Sequence, residues 1–319
     1  MLSAPAQAAV TARAPAKVNL LLEVGPLRDD GYHDLLTVFQ ALDLAEDVTA
    51  TAADGFSVEV AGAGGVDVTG VPLDERNLAL RAALLLAERA GVRGGVHLSV
   101  RKGVPVAGGM AGGSADAAAA LVACDALWQL HLGLEALGEL GAELGADVPF
   151  CLHGRTAVGT GRGDRLVPVL TAAPFHWVLV LAGRGLSTPA VFAECDRLRE
   201  VSGEPVPVPE ADAGERLRAV EAALRTGDPA VLGAALANDL QEAACSLAPE
   251  LSGTLAAGAE AGALAGLVSG SGPTVALLAA SAPHARRVAA ALRPALGERV
   301  RTATGPVPGA RVLEAVRAR

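Results

Sequence analysis

Residues 105–115 read PVAGGMAGGSA and separate an alternating apolar stretch from a long alanine-rich run. The alternation of Val96, Leu98 and Val100 predicts a strand before this loop, and the run 115–130 predicts a helix after it. Four glycines within six residues let backbone N–H groups converge on an anion, and the helix N-terminus adds its dipole. The loop therefore predicts a phosphate-binding turn, with a glycine turn packed closely on a helix as the alternative.

Two common phosphate-binding patterns do not match this loop. The dinucleotide pattern G-x-G-x-x-G, started at Gly108, needs a glycine where Met110 stands. The P-loop pattern, started at the same glycine, needs lysine followed by serine or threonine where Ser114 and Ala115 stand. By itself the loop predicts an anion site but names no reaction.

Length and composition limit the possible classes of protein. A chain of 319 residues with 51% hydrophobic residues predicts about two domains with large cores. A net charge of −9 argues against nucleic acid or an anionic membrane as partner. The uncharged run 261–283 is interrupted by SGSGP at 269–273, which argues against a membrane span. Four scattered cysteines predict free thiols, and residues 1–13 lack the regions of a signal peptide, so a cytoplasmic location is expected.

The rest of the chain mixes strand and helix patterns without a regular alternation. A strand is predicted over 17–24, with Lys17 and Asn19 on one face together with Leu21. The other predicted elements are strands at 58–60, 177–181 and 298–302, helices at 77–90, 134–144, 211–224, 228–244 and 283–292, a strand–turn–strand unit at 264–278, a domain crossover at 155–164 and an exposed loop at 204–209. This mixture predicts two α+β domains.

Three segments, taken together, resemble those of a known family. PAKVNL (15–20) is followed by DGYH (30–33), the glycine loop is followed by GADVP (145–149), and SGSGPT (269–274) comes last. In this order the chain is similar to the GHMP small-molecule kinases, from about residue 11 to near the C-terminus. PAKVNL with DGYH after it resembles the branch of this family that acts on a cytidine-diphosphate-linked methylerythritol.

The resemblance implies a two-domain α+β fold and a phosphotransfer reaction. Residues 1–168 would form an N-terminal ATP-binding α+β domain like that of some ribosomal proteins, and residues 169–319 a ferredoxin-like α+β domain. The cleft between them would hold ATP, Mg²⁺ and the substrate, cytidine diphosphate methylerythritol. The family reaction moves the γ-phosphoryl group of ATP to the tertiary C2 hydroxyl of the methylerythritol unit.

Asp147, in the GADVP segment, is the candidate base. Phosphoryl transfer needs the acceptor hydroxyl held in line with the γ-phosphate, and its proton removed as the new bond forms. Without the resemblance, a turn or N-cap aspartate is the alternative. The resemblance places Lys17 beside Asp147, where an ammonium keeps the carboxylate ionised and polarises the acceptor hydroxyl or a phosphate oxygen. It also implies that Asn19, on the same strand face, contacts the substrate.

The resemblance assigns the cytidine end of the substrate to a small aromatic group. Tyr32 would stack on the base and His33 would bond to its edge, because a π-face is a natural platform for a base. Phe192 would cover the other face, with Thr188 as a nearby contact. Without the resemblance, Tyr32 and His33 predict only a surface loop, and Phe192 predicts a core residue.

On the nucleotide side, the resemblance places the phosphates of ATP on the glycine loop and the adenosine against Lys102 and Asn77. The loop residues assigned to the nucleotide are Pro105, Val106, Ala107, Gly108, Gly109, Met110, Ala111, Gly112, Gly113, Ser114 and Ala115. Two of them depart from the family pattern, since Ala111 replaces a glycine and Ala115 replaces a serine. A serine hydroxyl of this loop helps to hold magnesium in relatives such as mevalonate kinase. The ligands of Mg²⁺ are therefore left open, with Ser114 or the phosphates and water as candidates.

Three other functions stay open at this point. Another GHMP kinase, for mevalonate, homoserine or a sugar, would have no use for a base-stacking pair such as Tyr32 and Phe192. A non-catalytic binding protein on the same scaffold would not need both Lys17 and Asp147. An RNA-binding module is disfavoured by the acidic balance and the lack of a Lys/Arg stripe. The expected assembly is a monomer or a homodimer, with no nucleic-acid or membrane partner.

Overall fold

The structure is a computed structural model that describes residues 7–183, 185–203, 206, 208–209 and 214–317. Within these ranges the chain forms two β-sheets and ten α-helices. No helix in the described ranges has both the length and the apolar character needed to cross a membrane. The loop predicted at 204–209 falls largely outside the described residues.

The first sheet has eight strands and is built on two long ones. Its strands are β1 (Gln7–Leu27), β2 (His33–Ala53), β3 (Phe56–Gly62), β4 (Gly95–Lys102), β5 (Thr156–Gly161), β6 (Arg165–Pro168), β8 (Ala237–Asn238) and β12 (Arg311–Arg317). The order β12-β1-β2-β4-β3 forms the main path, and β1 pairs with β2 in antiparallel fashion along most of its length. The first half of β2 pairs with β5 and its second half with β4. Its length therefore lets β2 join two strand pairs into one sheet.

The second sheet has four antiparallel strands. They are β7 (Phe175–Val180), β9 (Ala265–Val268), β10 (Val275–Ala279) and β11 (Val300–Gly305), in the order β11-β7-β10-β9. The helices are α1 (Leu78–Ala90), α2 (Gly112–Leu127), α3 (Leu134–Leu144), α4 (Val148–His153), α5 (Thr188–Ser202), α6 (Glu215–Thr226), α7 (Pro229–Ala235), α8 (Gln241–Leu247), α9 (Glu250–Glu260) and α10 (Ala282–Leu296). A 3-10 turn (Gly297–Arg299) precedes β11.

Three apolar cores hold these layers together. The first lies between the first sheet and α1, α2 and α3, and the third lies between the second sheet and α5, α8, α9 and α10. The second core joins the two sheets, with Leu20 and Leu36 from one sheet and Leu179 and Leu278 from the other. The Trp177 indole also donates a 3.1 Å hydrogen bond to Gln40 on β2 within this layer. The two sheets are therefore packed face to face over a common core.

Most predicted elements are confirmed, with ends that differ by several residues. The strand predicted over 17–24 is part of β1, but its strict alternation is broken by an irregular register between Asn19 and Leu21. Leu20 and Leu21 are consequently both fully buried, and Leu21 does not share the polar face of Lys17 and Asn19. The helix predicted over 115–130 begins earlier, at Gly112, where a Cβ would lie 3.1 Å from Glu46 and 3.3 Å from Val104.

Two expectations are wrong. Residues 155–164, predicted to hold the domain crossover, form β5 and the turn into β6, so the chain leaves the first sheet only after Pro168. The helix predicted over 228–244 is divided into α7 and α8 by β8, because the Asn238 amide bonds to the carbonyl oxygens of Val268 and Gly270. The pattern of β2 was not detected, since its buried and exposed positions do not alternate regularly.

The division of the chain into residues 1–168 and 169–319 stays a prediction. The change from one sheet to the other falls after Pro168, in keeping with that division. Strand β12, however, comes from the second segment and pairs with β1 of the first sheet. The second segment therefore contributes strands to both sheets.

The core shared by the two sheets predicts a large loss of stability on truncation. Leu278→Ala removes a fully buried side chain and should lower the free energy of unfolding by about 2 to 5 kcal/mol. The matched control, Leu313→Ala on β12, removes a half-exposed leucine and should change it by about 0.5 kcal/mol or less. Urea unfolding followed by circular dichroism measures both, and equal losses would contradict the assignment of this core.

Candidate active site

A cleft of about 910 Å³ lies where the glycine loop meets the polar face of β1 and β2, the start of α5 and the 269–274 loop. It collects most of the residues that the sequence singled out. These are Lys17, Asn19, Tyr32, His33, Ala107, Gly108, Gly109, Ala111, Gly112, Gly113, Ser114, Asp147, Thr188 and Phe192. Residues more than 170 positions apart in sequence are thus brought to one cavity.

The glycine loop presents the N-terminus of α2 to the cleft. No side chain caps this helix, and Gly112, Gly113 and Ser114 of its first turn line the cavity. Uncapped N–H groups and the helix dipole favour an anion at this position. Ala111 stands in the left-handed region, with φ 60°, where glycine is the usual residue. The position accommodates a Cβ, as the replacement of a glycine there requires.

Four of the predicted loop contacts are not part of the cavity lining. Met110 and Ala115 are fully buried in the cores beneath the loop, so their side chains pack against protein. Pro105 is half-buried and Val106 is exposed, and neither lines the cavity. The loop therefore offers its backbone and the Ser114 hydroxyl to a ligand, and a nucleotide contact at these four residues stays a prediction.

The 269–274 loop packs directly against the glycine loop. Thr274 N–H donates to the Gly108 carbonyl, and the Ser269 hydroxyl donates to the Gly109 carbonyl, both at 3.3 Å. A Cβ on Gly109, whose φ is +73°, would lie 2.6 Å from the Gly272 carbonyl oxygen. Only glycine allows this close approach.

Lys17 begins a row of buried polar side chains that are linked by hydrogen bonds on the first sheet. Its Nζ donates a 2.6 Å hydrogen bond to Asn19, and the Asn19 amide donates to Thr37 at 2.8 Å. The ammonium also lies 5.7 Å from the ring centre of Phe39. Burial lowers the pKa of Lys17, and the negative charge of nearby Asp147 opposes this shift. The predicted proximity of Lys17 and Asp147 is therefore present.

Asp147 occupies the N-cap position of α4, but its carboxylate makes no capping hydrogen bond. Pro149 fixes the first turn of that helix, and Cys151 N–H donates to the Asp147 carbonyl. The backbone of Asp147 is thus held by the helix while its side chain lines the cleft. A held but uncommitted carboxylate next to an ammonium can accept a proton from a bound hydroxyl.

The far end of the cleft carries the aromatic residues. The His33 and Phe192 rings stack with centres 5.1 Å apart, and His33 Nε2 lies 3.0 Å from the Asp196 carboxylate. Because a carboxylate only accepts, Nε2 carries the proton of this bond. Tyr32, the residue before His33, is 54% exposed, so its ring is accessible to a ligand. The Thr188 and Ser271 hydroxyls hydrogen-bond at 2.9 Å, which ties the start of α5 to the 269–274 loop.

Lys102 and Asn77, predicted to contact adenosine, do not line the cleft. The Lys102 ammonium is buried between Glu46, at 2.7 Å, and Asp116, at 2.6 Å. The Asn77 side chain caps α1 by accepting from Ala79 N–H, and its amide donates to the Pro72 carbonyl. Both side chains would have to exchange these bonds to reach a nucleotide, and their contact with adenosine stays a prediction.

The Lys102 cluster lies directly under the glycine loop. Glu46 also accepts hydrogen bonds from Gly103 N–H at 2.7 Å and Val104 N–H at 3.4 Å. Burial, together with the charge of Asp116, raises the pKa of Glu46 to about 8, and burial raises that of Asp116 to about 6. Burial opposes the charge on Lys102, but the two carboxylates outweigh it and raise its pKa. The cluster fixes the start of the loop to β2 and α2.

Several cleft residues were missed in the sequence, among them Phe39, Arg162, Asp196 and Ser271. Phe39 belongs to the undetected strand β2, and Arg162 lies in the turn that was interpreted as a crossover. Asp196 follows Phe192 by four residues, a helical spacing that places both on one face of α5. Ser271 belongs to the quoted 269–274 segment, whose glycine spacing gave no individual role.

Two family models match the chain, one in each half. The description "GHMP kinases N terminal domain" matches residues 77–155, and "GHMP kinases C terminal" matches residues 220–298. Between them these matches include the glycine loop, Asp147 and the 269–274 loop.

Individual proteins are similar over nearly the whole chain. A 4-diphosphocytidyl-2-C-methyl-D-erythritol kinase of Kineococcus radiotolerans is 72% identical, over 94% of this chain and 90% of that protein. A crystal structure of 4-(cytidine 5'-diphospho)-2C-methyl-D-erythritol kinase is 36% identical, with a TM-score of 0.72, over 92% of this chain and 98% of that one. A homoserine kinase from Cytophaga hutchinsonii has a TM-score of 0.73 at 18% identity, over 98% of this chain and 100% of that one, so it shares the fold.

The buried cluster under the loop predicts a pH-dependent contribution to stability. The unfolded chain releases the protons of Glu46 and Asp116 near pH 4, whereas the folded chain retains them to about pH 8 and about pH 6. The folded state thus binds more protons between these limits, and its stability falls as pH rises. Asp116→Asn removes one of the buried charges, so its stability relative to the wild type should increase between pH 5 and pH 8, by on the order of 2 kcal/mol.

Urea unfolding at several pH values measures this difference. Asp54→Asn, at an exposed position, controls for the loss of one negative charge from the chain. We expect the stability of Asp116→Asn, relative to the wild type, to rise with pH. A relative stability that does not change with pH, or that is greater at acid pH, would contradict the raised pKa values.

Proposed function

The chain belongs to the GHMP kinase family and is an ATP-dependent small-molecule kinase, and on this basis we propose that it phosphorylates 4-diphosphocytidyl-2-C-methyl-D-erythritol at the C2 hydroxyl. This reaction is a step of the non-mevalonate route to isoprenoid precursors. The observation that carries the proposal is the cleft itself. It has Lys17 and Asp147 near the glycine loop, and a group of aromatic residues at its other end. A substrate with an alcohol at one end and a base at the other suits this arrangement.

We propose that Asp147 accepts the proton of the C2 hydroxyl. Lys17 would stabilise the negative charge that develops beside it. The carboxylate is fixed by α4 and makes no capping bond, so it is available to a hydroxyl. The ammonium, held by Asn19, stabilises the negative charge that develops on the transferring group. Asn19 then serves chiefly to position Lys17, and through Lys17 the substrate.

The phosphates of ATP would lie on the glycine loop. Backbone N–H groups at the uncapped start of α2 supply the donors, and no lysine of the loop is needed. Gly108, Gly109, Gly112 and Gly113 keep this surface free of side chains, which lets the phosphates approach the backbone. The γ-phosphate would then face the acceptor hydroxyl near Asp147.

We propose Mg²⁺ as the metal that accompanies ATP. The Ser114 hydroxyl lines the cleft, and a Cβ on Gly145 would be 3.9 Å from Ser114 Oγ, so the GADVP turn lies close to this hydroxyl. A hydroxyl is an oxygen ligand of the kind that Mg²⁺ prefers, and Mg²⁺ retains several waters. When bound it neutralises charge on the phosphates. In the described residues no group of three acidic, His or Cys side chains forms a ready-made metal site, in keeping with a metal held largely by phosphates and water.

The cytidine end would be held by Tyr32, His33 and Phe192. The exposed Tyr32 ring offers a stacking face, and the stacked pair of His33 and Phe192 closes the site opposite. Thr188 lies at the start of α5, next to this group. We further propose that the enzyme acts in the cytoplasm, in keeping with its four free cysteines, as a monomer or a homodimer.

A substrate panel tests the proposed reaction. ADP release with ATP and Mg²⁺ is measured with the cytidine-diphosphate-linked methylerythritol, mevalonate, homoserine and galactose. We expect turnover with the cytidylated alcohol alone, because only it uses the aromatic end of the cleft. Turnover with another alcohol of the panel instead would retain the kinase family but reject this substrate. Binding of ATP without any turnover would favour a non-catalytic protein on the same scaffold.

The role of Asp147 predicts a loss in kcat rather than in nucleotide binding. Asp147→Asn keeps the size of the side chain but removes the base, so kcat should fall by roughly two to four orders of magnitude. The affinity for ATP should change little, because the loop supplies the phosphate donors. Glu143→Gln, which changes another cleft carboxylate, is the matched control and should retain most activity. Near-normal turnover of Asp147→Asn would reject the assignment of the base.

A further inference from the structure

The turn between β5 and β6 contacts two aromatic residues of the cleft. A Cβ on Gly163 would lie 3.4 Å from the Phe39 ring, and Phe39 in turn lies under the Lys17 ammonium. Arg162, one residue earlier, places its guanidinium carbon 5.6 Å from the centre of the Tyr32 ring. This turn therefore lies against Phe39, which neighbours Lys17, and against Tyr32.

The charges that line the cleft single out this arginine. Among the described lining residues, Lys17 and Arg162 are the two lysine or arginine side chains, and Glu143, Asp147 and Asp196 are the carboxylates. Lys17 is 4% exposed and already bonded to Asn19, whereas the Arg162 side chain is 43% exposed. A ligand with negative charge in the middle of the cleft would meet Arg162 as its accessible cation.

The guanidinium is held in place but retains free donors. Arg162 Nη2 donates to Asp164 at 3.2 Å, and the Arg162 N–H donates to the other oxygen of the same carboxylate. Within the described part of the chain, Nε and Nη1 have no protein acceptor. A planar guanidinium with unused N–H groups, anchored on one side, is suited to a phosphate oxygen pair.

We infer that Arg162 binds the diphosphate bridge of the substrate. This inference rests on the proposed function, because the bridge joins the cytidine to the methylerythritol in the substrate named above. The base on Tyr32 and the alcohol near Lys17 fix the two ends of that molecule, and the bridge between them spans the part of the cleft under Arg162. An alcohol without a diphosphate offers this guanidinium no partner, so Arg162 selects for a nucleoside-diphosphate-linked substrate.

Arg162→Gln and Arg162→Lys test the inference. Loss of a charge-assisted contact should raise the substrate KM about tenfold or more, with kcat within about twofold. Arg162→Lys should lie between the wild type and Arg162→Gln, because it keeps the charge without the planar fork. Arg165→Gln, which removes an exposed arginine of the same hairpin outside the cleft lining, is the matched control and should leave KM unchanged.

Inhibition by CDP and by cytidine separates the bridge from the base. In Arg162→Gln, inhibition by CDP should weaken by the same factor as the substrate KM, whereas inhibition by cytidine should be unchanged. Equal weakening of both would mean that Arg162 acts on the base through Tyr32, and an unchanged KM would mean that it binds no phosphate. Either result overturns the inference while leaving the proposed function intact. A wild type that neither turns over the cytidylated alcohol nor is inhibited by CDP would overturn both.

Discussion

The close approach of two glycine turns holds the cleft together. Gly109 of the first turn lies against the carbonyl groups of the 269–272 segment, at a separation that excludes any Cβ. One turn starts α2, whose N-terminus faces the cleft, and the other carries Ser271, which bonds to Thr188 at the start of α5. The contact therefore links the two ends of the cleft, through backbone packing at Gly109 and a side-chain hydrogen bond at Ser271. Asn238 supports it from below, by binding two carbonyl groups of the second loop and its preceding strand.

Two lysines of the same sheet illustrate how burial assigns a role. Lys17 has one buried hydrogen bond and a carboxylate nearby, and it borders the cavity, so its charge remains available to a ligand. Lys102 forms ion pairs with two buried carboxylates, Glu46 and Asp116. Its charge is therefore used within the core, under the glycine loop. Both residues are nearly inaccessible to solvent, and the difference lies in how many protein acceptors surround the ammonium. The same residue type thus borders the cleft in one place and supports the scaffold in the other.

Three groups of residues with different chemistry line the cleft. Uncapped N–H groups of α2 suit phosphates, Lys17 and Asp147 suit an alcohol, and the aromatic residues suit a base. Most of these groups come from regular elements or from turns fixed by glycine, so little ordering is needed when a ligand binds. The order of the environments along the cleft determines which molecules satisfy all of them at once.

The sequence by itself determined most of the local elements and singled out many of the residues that line the cleft. Glycine spacing, alternation at Lys17 and Asn19, and three short segments in order were sufficient, because they depend on neighbours in the chain. The tertiary structure decided what those residues touch. It placed Lys102 and Asn77 in the scaffold, joined β12 to the first sheet and brought Arg162 over Tyr32. Such contacts depend on burial and charge between distant segments, and no local pattern records them because each partner lies far away in the chain.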